Sequence, residues 1–336
     1  MTRFLTFFAA AALAFVALTP AAGAMTIEKI VSPSGIPAWL VREDATPLVA
    51  LNYAFHGGSS WDEADKAGTA NLAADLLDEG AGELDGKTFH DRLESHAIEM
   101  RFQVARDYFH GSLRTLSENR NEAFDLLHLA LSAPRFDADA VERVRGQMLA
   151  VLRRQSVDPN SLASRRWWQA AFPGHPYGRE SQGSLDSVPR IGIADLRDSV
   201  RRVFARNELT ISIVGDVDAK TAGELIDRAF GGLPAKNDLK PVPSASPAGL
   251  GRRIVVNLDV PQAVVTFGGP GLARHDPDFM AGYVANHILG GGTFTSRLYR
   301  EVREKRGLAY GVSDQLVWFR RAAVVLGGTA TRADRT

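Results

Sequence analysis

No cysteine occurs in the 336 residues, which excludes a disulfide framework, a thiolate metal site and a cysteine nucleophile. Neither sign of charge is in excess, with 39 Lys and Arg against 39 Asp and Glu. A protein that grips phosphate backbones presents a basic surface, so nucleic acid is not an expected partner. Aromatic residues make up only 8%, and the lack of heptads argues against a fibrous protein. Motifs for nucleotide or acyl chemistry are also missing: there is no G-x-G-x-x-G and no G-x-S-x-G. Residues 81–88 (AGELDGKT) mimic a phosphate loop, but Ala81 stands at the first glycine's position, and Glu83 and Asp85 would repel phosphate. What remains is a chain that is 45% hydrophobic and 23% charged, able to bury substantial cores and long enough for about two domains.

Long apolar runs are confined to the N-terminus. Arg3 is the only charge before Glu28, and residues 4–18 are almost wholly apolar. Ala22-Gly23-Ala24 then supplies small residues of the kind signal peptidase cuts, so residues 1–24 read as a signal peptide cleaved after Ala24. The alternative, an uncleaved anchor, needs about 20 apolar residues, and this run is shorter. An exported, periplasmic protein is expected.

The remainder repeats itself. Residues 48–55 (LVALNYAF) form a strand-like run followed by His56-Gly57-Gly58, Asp62 and a helical stretch. Residues 262–268 (QAVVTFG) are followed by Gly269-Pro270-Gly271, Asp276 and another helical stretch. Pro47 matches Pro261 and Asp62 matches Asp276, both at an offset of 214. Residues 88–93 (TFHDRL) then echo residues 293–298 (TFTSRL) at an offset of 205. Two matches in one order suggest a duplicated domain. The Pro- and Ser-rich stretch 234–251 reads as a linker, giving a first domain over 25–233 and a second, truncated copy over 252–336.

Within the first copy, strands are expected near 27–31, 37–42, 48–55, 97–103, 107–116 and 209–214. Helices are expected near 66–77, 87–95, 119–132, 137–155, 160–172, 192–204 and 218–230. Strands and helices mix without strict alternation, which predicts an α+β fold.

Four stretches resemble the insulinase/pitrilysin-like metallopeptidases, the inverzincins, a family that includes the mitochondrial processing peptidases. They are residues 51–80, residues 172–178 (FPGHPYG), residues 209–217 (LTISIVGDV) and residues 289–312 (LGGGTFTSRLYREVREKRGLAYGV). The resemblance implies duplicated α+β domains arranged as a clamshell around a peptide, with substrate added to an exposed strand edge. Active members carry H-x-x-E-H on a helix, where two histidines hold zinc and the glutamate activates water. Here Asn71 and Asp75 stand at the histidine positions and Ala74 replaces the glutamate. The family's third ligand, a glutamate, falls within residues 143–157, which contain no acidic residue. No metal is therefore expected in this chain. A Ca²⁺ or Mg²⁺ site at Asn71 and Asp75 is less favoured than a solvated helix face. His90, Glu94 and His96 do not converge on one helix face, and His56, His175, His275 and His287 read as structural.

The second-domain signature is intact. The resemblance maps an arginine and a tyrosine that reach the substrate onto Arg303 and Tyr310, seven residues apart. Gly307 between them fits a helix C-cap, and Gly290-Gly291-Gly292 would admit a close backbone approach or a hinge. A chain with the Arg/Tyr half but not the zinc half resembles one subunit of the two-chain members. The expectation is a non-catalytic, substrate-binding subunit of a periplasmic heterodimeric peptidase, supplying Arg303 and Tyr310 in trans to an H-x-x-E-H partner that holds zinc. The alternatives are a scaffold or binding subunit without a chemical role, and a stand-alone peptidase with an atypical metal site.

Overall fold

The computed structural model describes residues 26–335, so the expected signal peptide lies outside the described residues. Eleven strands are described: β1 (Ile27–Val31), β2 (Pro37–Arg42), β3 (Leu48–His56), β4 (Gly80–Ala81), β5 (Leu84–Asp85), β6 (Glu99–Val104), β7 (Tyr108–Leu116), β8 (Leu209–Gly215), β9 (Gln262–Pro270), β10 (Ala309–Trp318) and β11 (Ala323–Arg332). The α-helices are α1 (Thr69–Ala74), α2 (Gly86–Ser95), α3 (Arg120–Ser132), α4 (Ala138–Gln155), α5 (Pro159–Ala171), α6 (Ile193–Val203), α7 (Ala219–Phe230) and α8 (Phe279–Asn286). Every strand and helix expected in the first copy is present within a few residues.

Local chemistry sets these bounds. Along β3, Val49, Leu51, Tyr53 and Phe55 point to the core in strict alternation. Asp85, Asp158 and Asp218 each accept a hydrogen bond from a backbone N–H three residues on, capping α2, α5 and α7. The expected helix 66–77 is a correction: α1 spans only Thr69–Ala74, because Gly68 before it adopts a positive φ of 100° and turns follow Asp75.

Six strands form one sheet in the order β1-β2-β8-β3-β7-β6. β8 lies parallel to β2 and antiparallel to β3, filling the space between them. Helices α3 and α7 bury Phe124, Leu127, Leu131, Leu225, Ile226 and Phe230 in the main core. A second sheet has the order β10-β11-β9, entirely antiparallel. It repeats the β6-β7-β3 half of the first sheet, and β9 begins and ends 214 residues after β3. Met280, Tyr283, Val284, Ile288 and Leu289 leave an exposed apolar stripe along and beyond α8.

A second apolar cluster joins the two sheets. Trp168, Phe172 and Tyr177 pack with Val242 of the connecting stretch and Val324 of β11, and Phe319 seals it at 5.5 Å from the Trp168 ring and 5.1 Å from Tyr177. Polar groups converge on the same seam. The Tyr177 hydroxyl donates to Asp107 Oδ1 (2.7 Å), and the Arg320 N–H donates to Asp107 Oδ2 (2.8 Å). Glu208 pairs with both His56 (2.6 Å) and Arg320 (2.8 Å).

Candidate functional site

The helix that should carry zinc ligands is built on a buried carboxylate. Asp62 accepts the N–H groups of Gly68 (2.9 Å) and Ala70 (3.0 Å), anchoring the start of α1. Burial pushes the Asp62 carboxyl up to about 7, against the opposing pull of those two N–H groups and Arg179. Gly68 cannot gain a side chain cheaply, because a Cβ would lie 2.8 Å from the Gln182 carbonyl.

One turn later α1 presents Asn71, Ala74 and Asp75 to a cavity of about 570 Å³. The opposite wall is α4, which contributes Val144, Gln147, Met148 and Val151. The edge strand β6 contributes Met100, Arg101 and Phe102. Asn71 Nδ2 donates to the Ser181 carbonyl (2.5 Å), so its amide is tied to a loop. Asp75 is held above the usual carboxylate range by burial, and then by its neighbour Asp78. Zinc asks for three or four nitrogen, sulfur or carboxylate ligands in a tetrahedral set. The donors lining the cavity are the Asn71 amide and the carboxylates of Asp75, Asp78 and Glu79, the last paired with Arg143, and they do not converge on one point. That set does not fit zinc, and no group of three or more His, Cys, Asp or Glu among the described residues could hold a metal ion.

His175, His90 and His96 are engaged in structural hydrogen bonds. His175 donates from Nε2 to the Pro243 carbonyl (3.0 Å) and accepts the Tyr177 N–H at Nδ1 (3.1 Å). His90 meets the Gly86 carbonyl within α2, and His96, at the C-cap of the same helix, meets the Arg92 carbonyl. Residues 81–88 form the β4–β5 turn and the capped start of α2.

Arg303 and Tyr310 are brought together. The chain winds through a wide turn over Tyr299–Glu304, and Gly307 takes a positive φ of 58°. The N–H groups of Gly307 and Leu308 close back on the carbonyls of Arg303 and Val302, ending the helical turn before β10. Arg303 Nη1 then donates to the Tyr310 carbonyl (2.9 Å), with its guanidinium 4.2 Å from the Tyr310 ring centre and 4.9 Å from that of Tyr299. The β10–β11 register shifts between Ala309 and Val312, so Tyr310 sits in a bulge. A bulge re-aims the side chain it carries, and Tyr310 is 84% exposed. One of the five guanidinium N–H donors is engaged with the carbonyl, and the fork is clamped between two rings.

The first glycine of the triplet makes a close approach within the chain itself. Gly290 packs against Asp314, where a Cβ would lie 2.4 Å from the carboxylate. Asn286 donates to that carboxylate at 2.8 Å. Sequence reasoning missed the capping role of Asp62 and the shared acceptor Asp107, whose partners Tyr177 and Arg320 lie 70 and 213 residues away.

Comparison with known proteins agrees with this geometry. Residues 39–183 match the family described as insulinase (peptidase family M16), and residues 190–326 match the peptidase M16 inactive domain. The protein named non-peptidase homolog YmxG from Helicobacter pylori is 30% identical over 292 residues, covering 87% of this chain and 67% of that protein. A Streptomyces coelicolor protein described as an uncharacterized zinc protease is 27% identical, covering 86% of this chain and 64% of that one. The crystal structure of a peptidase M16 inactive domain from Pseudomonas fluorescens superposes with a TM-score of 0.84 at 29% identity, covering 92% of this chain and 75% of that one. This chain thus spans about two thirds of the length of these two sequence relatives. With its two halves matching the family in order, the chain belongs to the insulinase peptidases, family M16.

Proposed function

We propose that this protein is a non-catalytic, substrate-binding subunit of a zinc peptidase that works in the periplasm as a heterodimer. The observation that carries the reading is a contrast between two sites. Around Asn71, Ala74 and Asp75 the donors do not suit zinc, whereas Arg303 is held against Tyr310, which sits in a bulge open to solvent. The names of the relative YmxG and of the Pseudomonas neighbour, a non-peptidase and an inactive domain, support the same reading.

In this reading the partner carries H-x-x-E-H and supplies the zinc chemistry. The present chain contributes grip and charge stabilisation. The Arg303 fork binds a substrate carbonyl, and the Tyr310 phenol donates to the oxyanion that develops during cleavage. The outer edge of β6 offers unpaired backbone groups to an extended peptide.

The test uses the purified heterodimer. Arg303→Ala or Tyr310→Phe is expected to lower peptidase turnover about a hundredfold, the scale of losing one oxyanion donor, while subunit association persists. Full turnover in both variants would favour the second reading, a scaffold subunit. That alternative draws on the engagement of Arg303 with the Tyr310 carbonyl, and on the 23% identity to cytochrome b-c1 complex subunit 1 of Bos taurus.

A further inference from the structure

The tip of the β10–β11 hairpin is fastened to the first unit by a small cluster of charges. Asp107, on the turn between β6 and β7, uses both carboxylate oxygens, one for the Tyr177 hydroxyl (2.7 Å) and one for the Arg320 N–H (2.8 Å). The next N–H, that of Arg321, donates to the Tyr177 hydroxyl (3.2 Å). The Arg321 carbonyl accepts the Ala245 N–H (2.9 Å), which ties the connecting stretch to the same tip. Glu208, just before β8, serves two partners with one oxygen: Arg320 Nη1 at 2.8 Å and His56 Nδ1 at 2.6 Å.

His56 is the member of this cluster whose charge changes near neutral pH. Its side chain, at the end of β3, is 12% exposed. The ring stands edge-on to Trp61 at 4.8 Å and tilts against Tyr108 at 6.0 Å. Trp61 Nε1 in turn donates to the Lys240 carbonyl (2.6 Å), so the imidazole and the connecting stretch share a neighbour. The charges that face His56 are Glu208 and Asp107 against Arg320 and Arg321, and Arg106 adds a further positive charge beside Asp107. The carboxylates are thus matched by guanidiniums before His56 takes a proton. With Nδ1 donating to Glu208, a second proton goes to Nε2 and makes the ring one more cation in a half-closed site. Burial, and after it Arg320, hold the imidazole below its ordinary 6.5, against the pull of Glu208 and Asp107.

We infer that this cluster is an acid-sensitive clasp: a neutral His56 keeps the β10–β11 tip and the connecting stretch docked on the first unit, and its protonation releases them. With the clasp open the imidazole meets water and binds a proton near 6.5, whereas docked it does so only at lower pH. Docking therefore has its full strength above about pH 7 and weakens as the pH falls through about 6. The inference does not depend on the peptidase reading, since neither Arg303 nor Tyr310 takes part.

Limited proteolysis of the full chain within residues 234–251, at about pH 7.5 and about pH 5.5, reads the clasp. The reference is His56→Gln, which keeps a donor for Glu208 but does not titrate. The ratio of parent to variant rates cancels the protease's own pH profile and changes elsewhere in the chain. That ratio is expected to rise at least about threefold at the lower pH. His175 donates to the Pro243 carbonyl (3.0 Å) in the same stretch and is the rival source of an acid response. The response should therefore persist in His175→Gln, and its disappearance there overturns the assignment to His56. Arg320→Gln removes the cation facing the imidazole and should shrink the response. A second readout needs no cleavage: in the chain with isotope-labelled histidine, the ring resonance missing from His56→Gln should titrate below 6.5. A ratio that does not change with pH, or a His56 ring that titrates at or above 6.5, overturns the inference.

Discussion

Asp62 stands at the start of α1 as a buried acceptor for two backbone N–H groups, and burial raises its carboxyl to about 7. In the unfolded chain the same group ionises near its ordinary value of 3.8. Between about pH 4 and pH 7 the native state therefore holds a proton that the unfolded state has released. The stability supplied by this group is full at the acid end of that window and falls as pH rises towards 7. Asp62→Asn cannot ionise and should remove this decline. Unfolding free energies from urea melts are expected to fall between pH 4 and pH 8 by more than about 1 kcal/mol further in the parent than in the variant. Parallel profiles would show that Asp62 does not titrate in this window. Asp62 was visible in the sequence only as half of a repeated landmark, because the donors it accepts follow from how the chain turns at Gly68.

At the scale of single elements, α1 and α4 face one another across the cavity where the family resemblance places a metal. Their side chains there are Asn71, Ala74 and Asp75 on one side, and Val144, Gln147, Met148 and Val151 on the other. A ligand that bound the native state at a hundred times its Kd would add about 2.7 kcal/mol to stability. Zinc added to the full chain should leave the urea midpoint unchanged, and a rise on that scale would contradict the poor fit of these donors. Most elements could be read from local pattern. An apolar run marked β3, and the starts expected for α2, α5 and α7 fall within one residue of those observed, where Asp85, Asp158 and Asp218 cap them. The β4–β5 hairpin was not legible, since two residues per strand carry no period and its turn depends on Gly80 and Gly82 at positive φ. Arg303 and Tyr310 could be paired only through the family resemblance, since a charged run and a lone tyrosine carry no such signal by themselves.

Across the whole molecule, the two sheets are held at one seam. Phe319, at the turn between β10 and β11, reaches Trp168 and Tyr177, while Arg106 lies 4.1 Å over Trp168 and 5.6 Å from Phe319. Phe319→Ala removes a large ring from this contact, a change that costs about 3 kcal/mol when the site is well packed. Limited proteolysis should then cut the connecting stretch 234–251 at least about tenfold faster, since Val242 within it packs in the same cluster. An unchanged cleavage rate would mean that the polar seam around Asp107 and Glu208 suffices alone. The uncovered stripe of Met280, Tyr283, Val284 and Ile288 has a different consequence. Exposed apolar helix surface is what misassembly feeds on. Produced by itself in quantity, this polypeptide should cloud on gentle warming and collect in inclusion bodies.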